Sequence, residues 1–412
     1  MRQEWPSFGV VEVDQHLVEH APRLTLDDDL RSLDALHLTA ALLLSFDETV
    51  SVTWDRRLHA AAQSISSASC EPLDLDAAGV ISRTVAVSHY ARAMTWLVTG
   101  GAGYIGAHVV RAMVADGMDV VVLDDLSTGD QRRVPEAPLV VGSVRDRELV
   151  SDVLRDHHVD GVMHIAGKKQ VGESVADPLL YYRENVDGMV ALLECCRDQN
   201  VAHLVFSSSA ATYGLPDVDL VTEQTPCQPL SPYGESKLIG EWLIRDCTRA
   251  WGLNAICLRY FNVAGAAAPE LGDPGAFNLI PLVFQALGRG QRPQVFGADY
   301  PTPDGTGVRD YIHVSDVAHA HLAAARGLQA GAPSATYNIG RGKGFSVLEV
   351  LRTISEVTGL EVDHEVVARR DGDPARVVAA VDQIRDGLEF TAVHNLRSMV
   401  ESAWAGWQLR RG

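Results

Sequence analysis

Residues 99–106 read Thr-Gly-Gly-Ala-Gly-Tyr-Ile-Gly and directly follow the apolar run Trp96-Leu97-Val98. The spacing of Gly100, Gly103 and Gly106 between a predicted strand and a predicted helix is typical of a dinucleotide-binding turn. Glycines let the backbone approach a pyrophosphate, and the start of the helix supplies N–H donors and a positive dipole. Taken alone, the motif is also compatible with an ordinary tight turn. In this context it predicts a phosphate-binding site at the first strand of a parallel sheet.

A carboxylate at the end of the second predicted strand supports a dinucleotide site. This strand covers residues 119–123 and ends at Asp124, 18 positions after Gly106. A carboxylate there accepts hydrogen bonds from ribose hydroxyls and repels a 2′-phosphate. The expected cofactor is therefore NAD rather than NADP.

From residue 94 onward, short apolar runs alternate with amphipathic helical patterns, which is typical of βαβ units on a parallel sheet. After residue 265 the pattern becomes irregular, with frequent Gly and Pro. We expect an α/β fold with a Rossmann-type doubly wound parallel sheet at 94–265 and a smaller C-terminal α/β substrate lobe at 266–412. Further strands are predicted at 138–141, 161–165, 203–207 and 254–260.

The composition of the 412 residues excludes several classes of function. A net charge of −19 argues against general binding to nucleic acid or to anionic membranes, because both are polyanions. The six cysteines form no Cys-x-x-Cys motif, so neither a metal site nor a disulfide framework is expected. No leader peptide and no apolar run of about 18 residues is recognised, which predicts a cytoplasmic protein without a membrane span.

The candidate catalytic residues lie in Ser-Pro-Tyr-Gly-Glu-Ser-Lys, residues 231–237. Tyr233 and Lys237 are four positions apart, so a helix places both on one face. An ammonium beside a phenol favours the phenolate and lowers the tyrosine pKa, which prepares Tyr233 to take a proton from a sugar hydroxyl. Ser209 ends the fifth predicted strand, where its hydroxyl can bond the same substrate oxygen.

The scarcity of lysine adds weight to Lys237. The chain has four lysines and 31 arginines, so a retained lysine indicates a site that needs a compact ammonium. By the same argument we expect Lys169, after the fourth strand, to contact the cofactor ribose. Asn185 on the next helix is a weaker candidate for the same site.

Two arginines in the C-terminal part are candidates for a second pyrophosphate. Arg309 and Arg370 lie far apart in the sequence of an acidic protein. Guanidinium groups suit bidentate binding of phosphate, so the pair suggests a nucleotide-sugar. The alternative for each arginine is an ion pair with the adjacent aspartate.

Taken together, these residues resemble the UDP-glucose 4-epimerase family, a branch of the extended short-chain dehydrogenases/reductases, over residues 94–412. The resemblance is carried, in order along the chain, by Thr99–Gly106, Val122–Gly129, Val171–Ser174, Ser207–Gly214, Ser231–Lys237, Leu258–Gly265 and Gly305–His313. The resemblance implies an NAD-dependent epimerase that interconverts UDP-galactose and UDP-glucose, and it implies a homodimer.

The resemblance also implies roles for individual residues. The implied NAD contacts are Gly100, Gly103, Tyr104, Ile105, Gly106, Asp124, Ala166, Lys169, Asn185, Tyr233, Lys237 and Phe261. The implied UDP-sugar contacts are Ser209, Tyr233, Asn262, Asn278, Leu279, Arg309, Arg370 and Asp373. In the implied mechanism Tyr233 deprotonates the sugar 4-hydroxyl, a 4-keto sugar rotates, and reduction occurs on its other face.

Several positions depart from the family pattern, and two of them affect the expected ligands. Ser143 stands where an aspartate toward adenine is usual, so the adenine contact is expected to be weaker or to come from the backbone. Val377 stands near a position whose size is associated with N-acetylated sugars, which makes a UDP-N-acetylglucosamine or UDP-pentose 4-epimerase the alternative within the family.

The N-terminal residues 1–61 resemble another family, the second half of a PIN-domain (VapC-type) ribonuclease. In that resemblance Asp34 and Asp55 belong to an acidic metal-binding cluster whose other half is missing here. A non-catalytic fragment followed by a linker at 62–93 is expected, and a functional nuclease fusion is a distant alternative. Two further alternatives are a nucleotide-sugar 4,6-dehydratase, which needs an Asp-Glu pair where Ala210 and Ala211 stand, and a non-catalytic NAD sensor.

Overall fold

The computed structural model describes residues 94–275, 277–370 and 372–410. The PIN-like fragment expected at 1–61 and the linker expected at 62–93 therefore lie outside the described residues. Within the described ranges, no helix has the length and apolar character needed to cross a membrane.

The strands alternate with helices along the chain. The strands are β1 (Thr95–Thr99), β2 (Asp119–Asp124), β3 (Leu139–Val141), β4 (Val159–His164), β5 (His203–Ser209), β6 (Asn254–Tyr260), β7 (Asn262–Ala264), β8 (Gln294–Phe296), β9 (Val308–His313), β10 (Ala335–Ile339), β11 (Gly344–Ser346), β12 (Glu365–Val367) and β13 (Arg376–Val377). The helices are α1 (Tyr104–Ala115), α2 (Arg147–Asp156), α3 (Val171–Ala176), α4 (Pro178–Tyr181), α5 (Gly188–Asp198), α6 (Pro232–Trp251), α7 (Leu279–Gly288), α8 (Val314–Gln329), α9 (Val347–Thr358), α10 (Asp382–Leu388) and α11 (Leu396–Leu409). A π-helical segment, Tyr182–Asp187, joins α4 to α5.

Seven strands form one parallel sheet in the order β10-β6-β5-β4-β1-β2-β3. The order reverses direction between β1 and β4, and ligands bind at such a point beyond the carboxyl ends of the strands. The predicted doubly wound parallel sheet is confirmed.

Both faces of this sheet are covered, which explains why its strands are apolar without alternation. Trp96 and Val98 face one core, against α1 and α8, whereas Leu97 faces the other, against α2, α5 and α6. All three side chains are fully buried. The single strand β1 therefore anchors helices on both sides and holds the glycine-rich turn between them.

The smaller lobe is built on β9. This strand pairs with β11, β13 and β7, while β8 and β12 form a separate two-stranded sheet. The helices α7, α9 and α11 pack together around a third apolar core. The register of β9 places Tyr311 opposite Asn262 and Arg309 opposite Val377.

The chain crosses between the two lobes more often than the sequence suggested. β10 and α8 fall within the range 266–412 that the sequence assigned mainly to the substrate lobe. The structure instead pairs β10 with β6 at the edge of the large sheet, and α8 packs against α1. The apolar residues of α8 are buried there because the sheet would otherwise leave one face uncovered next to α1.

Candidate functional site

The glycine turn after β1 is shaped by close backbone packing. Gly100 has a φ of +70°, and a Cβ atom there would lie 2.6 Å from the amide nitrogen of Ala166. A Cβ on Gly106 would lie 2.0 Å from the carbonyl oxygen of Gly100. Gly103, which caps α1, would meet one backbone atom at 3.2 Å and is otherwise open. The turn therefore has the cradle that a pyrophosphate needs, and these residues fit NAD.

Asp124 is tied to this turn by one carboxylate oxygen and to its own loop by the other. Oδ2 accepts from the amide of Ala102 at 2.9 Å, and Oδ1 accepts from the amide of Leu126 at 2.8 Å. Burial raises the pKa of Asp124, and the two amide hydrogen bonds oppose that effect. Each oxygen has two lone pairs, so the carboxylate can accept from ribose hydroxyls as well.

Tyr104 and Ile105 lie at the first turn of α1. The hydroxyl of Tyr104 donates to the carbonyl of Gly265 at 2.5 Å, and the ammonium of Lys169 lies 5.6 Å from the centre of its ring. Ile105 is partly buried against the core of the large sheet. Tyr104 therefore connects the cofactor turn to the chain that leaves β7, and its contact with NAD stays a prediction.

The proposed acid–base residues meet beyond the end of β5. Tyr233 is 8% exposed, Lys237 is 5% exposed and Ser209 is 9% exposed. Ser209 makes a side-chain hydrogen bond with Tyr233 and accepts from the amide of Ala211 at 3.1 Å. The ammonium of Lys237 donates to the carbonyl of Ser207 at 2.8 Å. The structure thus brings the three residues together at the carboxyl ends of the strands.

The pKa of Tyr233 differs from the expectation. The sequence predicts that Lys237 lowers the tyrosine pKa, whereas burial raises it in the structure, opposed only in part by the bond with Ser209. Burial also lowers the pKa of Lys237 to about 8, against the charge of Glu241. Both groups are therefore less easily ionised than they are in water.

Asn185 proves to be a connecting residue. Its side-chain oxygen accepts from the amide of Lys168 at 2.8 Å, and its Nδ2 donates to the carbonyl of Lys168 and to the hydroxyl of Ser236. Asn185 lies in the π-helical segment, where the wider turn offsets it from a regular helix. It holds the loop after β4 against α6, the helix that carries Tyr233 and Lys237.

A buried charged network beside Lys237 was missed by the sequence analysis. Glu241 on α6 pairs with Arg259 on β6, and their side chains are 7% and 8% exposed. Arg259 also donates to the hydroxyl of Tyr213 at 2.8 Å, and Ser208 donates to the Glu241 carboxylate. The sequence does contain an indication of this network. Arg259 lies inside the apolar strand Asn254–Tyr260, and a buried arginine requires a buried partner.

The two arginines of the small lobe have different surroundings. Arg309 pairs with Asp373, 64 positions away, rather than with the adjacent Asp310. Asp310 is fully buried and accepts from three backbone amides. Arg370 is exposed, and its guanidinium carbon lies 3.7 Å from the ring centre of Phe296.

The remaining candidates are Phe261 for the cofactor, Val377 for sugar size, and three substrate residues, Asn262, Asn278 and Leu279. Phe261 is buried against Tyr213, and Val377 packs against the same cluster. Asn262 is partly buried on β7, whereas Asn278 is exposed at the start of α7 and makes no side-chain capping bond. Leu279 is the first residue of that helix. The structure therefore places Asn278 at the surface and the other candidates nearer the core.

Ser143 lies in the loop after β3, where the sequence predicted a weakened adenine contact. The hydroxyl of Ser143 accepts from the amide of Arg145 at 3.2 Å, so it serves its own loop after β3. Among the described residues, no group of three or more His, Cys, Asp or Glu side chains could hold a metal ion.

Comparisons with known proteins show the family to which the chain belongs. A model of the NAD-dependent epimerase/dehydratase family matches residues 96–340. A UDP-glucose 4-epimerase from Azospirillum brasilense is 48% identical over 314 residues, which are 74% of this chain and 90% of that protein.

Two solved structures are similar over nearly their whole length. One is a UDP-glucose 4-epimerase from Stenotrophomonas maltophila with bound NAD and formylated UDP-arabinopyranose, 40% identical with a TM-score of 0.75. The other is a UDP-glucose 4-epimerase from Bifidobacterium longum with NAD+ and UDP, 36% identical with a TM-score of 0.72. Each alignment covers 77% of this chain and 99% of the solved chain.

Proposed function

The chain belongs to the NAD-dependent epimerase/dehydratase family, and from this premise we propose that it interconverts UDP-galactose and UDP-glucose with NAD as its cofactor. The observation that carries the proposal is the buried group formed by Tyr233, Ser209 and Lys237. This group lies at the same edge of the parallel sheet as the glycine cradle and Asp124, where a nucleotide and its reacting partner meet.

The cofactor would be held mainly by backbone. The amides at the start of α1 would face the pyrophosphate, and Asp124 would accept from the adenosine ribose. When bound, NAD+ would supply the oxidising equivalent for a transient oxidation at one sugar carbon.

Tyr233 acts on the proton of the sugar 4-hydroxyl. Its hydroxyl is buried and bonded to Ser209, so Ser209 can hold the substrate oxygen and the phenol in one hydrogen-bonded unit. Because burial disfavours the phenolate, a positive charge is needed nearby for Tyr233 to act as a base. Lys237, one helical turn away, supplies such a charge when it is protonated.

The small lobe anchors the UDP moiety. Arg309 is held by Asp373, and Arg370 is held over the ring of Phe296, so both guanidinium groups are oriented before a ligand arrives. Guanidinium groups bind diphosphate oxygens in a bidentate manner. The sugar remains attached to this anchor while its ring turns over between oxidation and reduction.

The residues after Ser209 favour epimerisation over dehydration. Ala210 and Ala211 open the short 3₁₀ helix that follows β5. A 4,6-dehydratase needs an additional acid and base at this place, and two methyl side chains supply neither.

The function is tested by mixing purified protein with UDP-galactose, with and without added NAD, and measuring UDP-glucose by an enzyme-coupled assay. Sustained production of UDP-glucose is expected, whereas no product under either condition would contradict the proposal. The same assay on a protein shortened to begin at Met94 tests the N-terminal segment. We expect it to retain activity, since alignment to the A. brasilense relative already covers 90% of that protein.

N-acetylated sugars are the second candidate substrate class. Val377 pairs in register with Arg309 on β9 and packs against the Phe261 cluster, and the family resemblance associates the size of a side chain near this position with N-acetylated sugars. A panel of UDP-galactose, UDP-N-acetylgalactosamine and UDP-xylose distinguishes the classes. Turnover of the N-acetylated sugar that disappears in Val377→Tyr, while UDP-galactose turnover remains, would support this wider specificity.

A homodimer is the expected assembly. Leu179, Val190 and Trp242 are 68%, 38% and 48% exposed, and they lie on the adjacent helices α4, α5 and α6. Exposed apolar side chains concentrated on neighbouring helices are typical of a protein–protein interface. A second copy of the same helices would bury them symmetrically.

The cytoplasm is the expected location. The cysteines in the described ranges, Cys195, Cys196, Cys227, Cys247 and Cys257, are all free thiols. Free thiols suit a reducing compartment. A tagged protein in fractionated cells would test this location.

A further inference from the structure

The catalytic helix carries a third residue in the series begun by Tyr233 and Lys237. Glu241 follows Lys237 by four positions, so the three side chains lie on one face of α6. All three are buried, and this face is turned toward the end of β5. Glu241 therefore belongs to the surface that carries the proposed acid–base group.

Lys237 and Glu241 contact consecutive residues of β5. The ammonium of Lys237 donates to the carbonyl of Ser207 at 2.8 Å, and the carboxylate of Glu241 accepts from the hydroxyl of Ser208. The next residue is Ser209, which bonds Tyr233. Three consecutive serines, Ser207, Ser208 and Ser209, thus contact three residues on one face of α6 and fix the position of the helix along β5.

The buried pair of Glu241 and Arg259 requires an explanation beyond stability. Nε of Arg259 donates to Oε1 of Glu241 at 2.8 Å, and its second nitrogen donates to Oε2. A buried ion pair is often no more stabilising than apolar residues of the same size, because both charges lose their hydration. Glu241 lies one helical turn from Lys237, so the pair can have a function at Lys237 in addition to any effect on stability.

The surroundings of Lys237 hold little other negative charge. From α6 it faces Tyr233 and Glu241, and from β4 it faces His164, whose pKa burial lowers to about 3 so that the ring is neutral. From β5 it faces the ring of Phe206, with its centre 4.9 Å away. Burial disfavours the ammonium, and Glu241 opposes that effect.

Two buried residues of the neighbouring strands hold the side chain of Glu241. Arg259 from β6 pairs with it directly, and Tyr213 touches the far side of that arginine. Cys257 from β6 and Cys227 from the loop before α6 also lie near it, and burial raises the pKa of both thiols, so they stay neutral.

We propose that Glu241 is a positioning residue for the proposed reaction: its carboxylate, held by Arg259 and Ser208, fixes α6 on β5 and keeps Lys237 protonated beside Tyr233. The inference rests on the proposed function. In this proposal Arg259 orients the carboxylate of Glu241. The negative charge of Glu241 then keeps Lys237 protonated although Lys237 is buried.

The scarcity of lysine makes a direct test practicable. Protein labelled with [ε-13C]lysine gives signals from Lys168, Lys169, Lys237 and Lys343 alone, and Lys237→Arg identifies the signal of interest. The full-length protein would be titrated by NMR as wild type, as Glu241→Gln, and as Glu241→Gln with Arg259→Gln. The double variant removes the charge pair without leaving a buried arginine unpaired. Glu194→Gln on α5, where a surface glutamate pairs with Arg147, is the matched control.

We expect the Lys237 midpoint to fall in both Glu241 variants and to stay at the wild-type value in Glu194→Gln. The alkaline limb of the kcat profile for UDP-galactose should move to lower pH by the same amount, with KM changed less than about twofold. A midpoint that falls by one pH unit lowers kcat about 10-fold at any pH above both midpoints. An unchanged Lys237 midpoint in the double variant would overturn the inference. Inactive wild-type protein would instead count against the proposed function, while the titration would still test Glu241.

Discussion

At Tyr233 two effects act on one phenol in opposite directions. Burial stabilises the neutral hydroxyl, and the hydrogen bond with Ser209 stabilises the phenolate. Since the first effect is larger, the pKa of Tyr233 is raised, and in the proposed mechanism the positive charge of Lys237 would be needed to make Tyr233 a base. The proposed catalysis at this residue would therefore depend on the charge of its neighbours.

Tyr233→Phe is expected to lower kcat by about 10²- to 10⁴-fold, the usual contribution of a positioned proton-transfer group. The ring remains in place against Tyr181, whose centre lies 6.4 Å away, so the fold and the UDP-sugar site should be retained. Stopped assays give kcat, and calorimetry with UDP gives affinity. Turnover close to that of the wild type would remove Tyr233 from its role.

Gly106→Ala is expected to abolish NAD retention and to destabilise the protein by several kcal/mol. The new methyl group would lie 2.0 Å from the carbonyl oxygen of Gly100, so α1 or the turn must move. Bound NAD after purification and urea unfolding measure the two effects. Gly172→Ala in α3 is the control, because its methyl group meets nothing within 4 Å and it should be neutral or slightly stabilising. Equal behaviour of the two variants would contradict the steric argument.

At the scale of elements, α6 has a buried face and an exposed face with separate tasks. Tyr233, Lys237 and Glu241 occupy the buried face, and Trp242 stands on the exposed one. Ser231 precedes the helix as its N-cap, and its side chain accepts from the amide of Gly234. Gly252 follows the helix as its C-cap, in the left-handed conformation. One helix thus carries the catalytic group inward and the proposed contact with a second copy outward.

Trp242→Glu is expected to convert the dimer into a monomer, because a carboxylate would have to be desolvated at the interface. Trp251→Glu is the matched control: nine positions correspond to two and a half turns, so Trp251 points to the opposite side of α6. Light scattering coupled to size-exclusion chromatography gives the mass of each. A monomeric wild type, or a dimer that survives Trp242→Glu, would argue against this interface.

Local periodicity explains which features the sequence predicted. The glycine turn, Asp124 and the Tyr233–Lys237 pair follow from spacings within one or two neighbouring elements, and all lie where expected. The partner of Arg309 is 64 positions away, and the choice of Asp373 over Asp310 depends on how β13 packs against β9. Pairing between distant segments depends on tertiary packing, which residue spacing does not contain.

At the scale of the whole molecule, buried histidines couple stability to pH. Burial lowers the pKa of His108, His313 and His321 to about 4 and that of His164 to about 3. In the unfolded chain these rings take up protons near pH 6.5. The folded state therefore binds fewer protons than the unfolded state between about pH 6.5 and 4.

The free energy of unfolding should consequently fall as the pH is lowered through that window, by about 1.4 kcal/mol per pH unit for each proton of difference. Asp310, whose pKa burial raises to about 6, and Asp124, whose pKa burial also raises, act in the opposite direction but are two groups against four. Urea unfolding at pH 7, 6 and 5 measures the slope. His321→Gln removes one buried ring and should flatten it, while a slope independent of pH would contradict the argument.

The return of β10 to the large sheet has a consequence for synthesis on the ribosome. One edge of β6 pairs with β5, which precedes it in the chain, whereas the partner of its other edge, residues 335–339, is synthesised much later. An unpaired strand edge is a template for wrong pairing between chains, and nascent chains are exposed to this hazard for as long as translation takes. The growing polypeptide carries that open edge while β7, β8, β9 and α8 are being translated. Protection by a chaperone therefore matters most in the interval that closes when β10 leaves the exit tunnel.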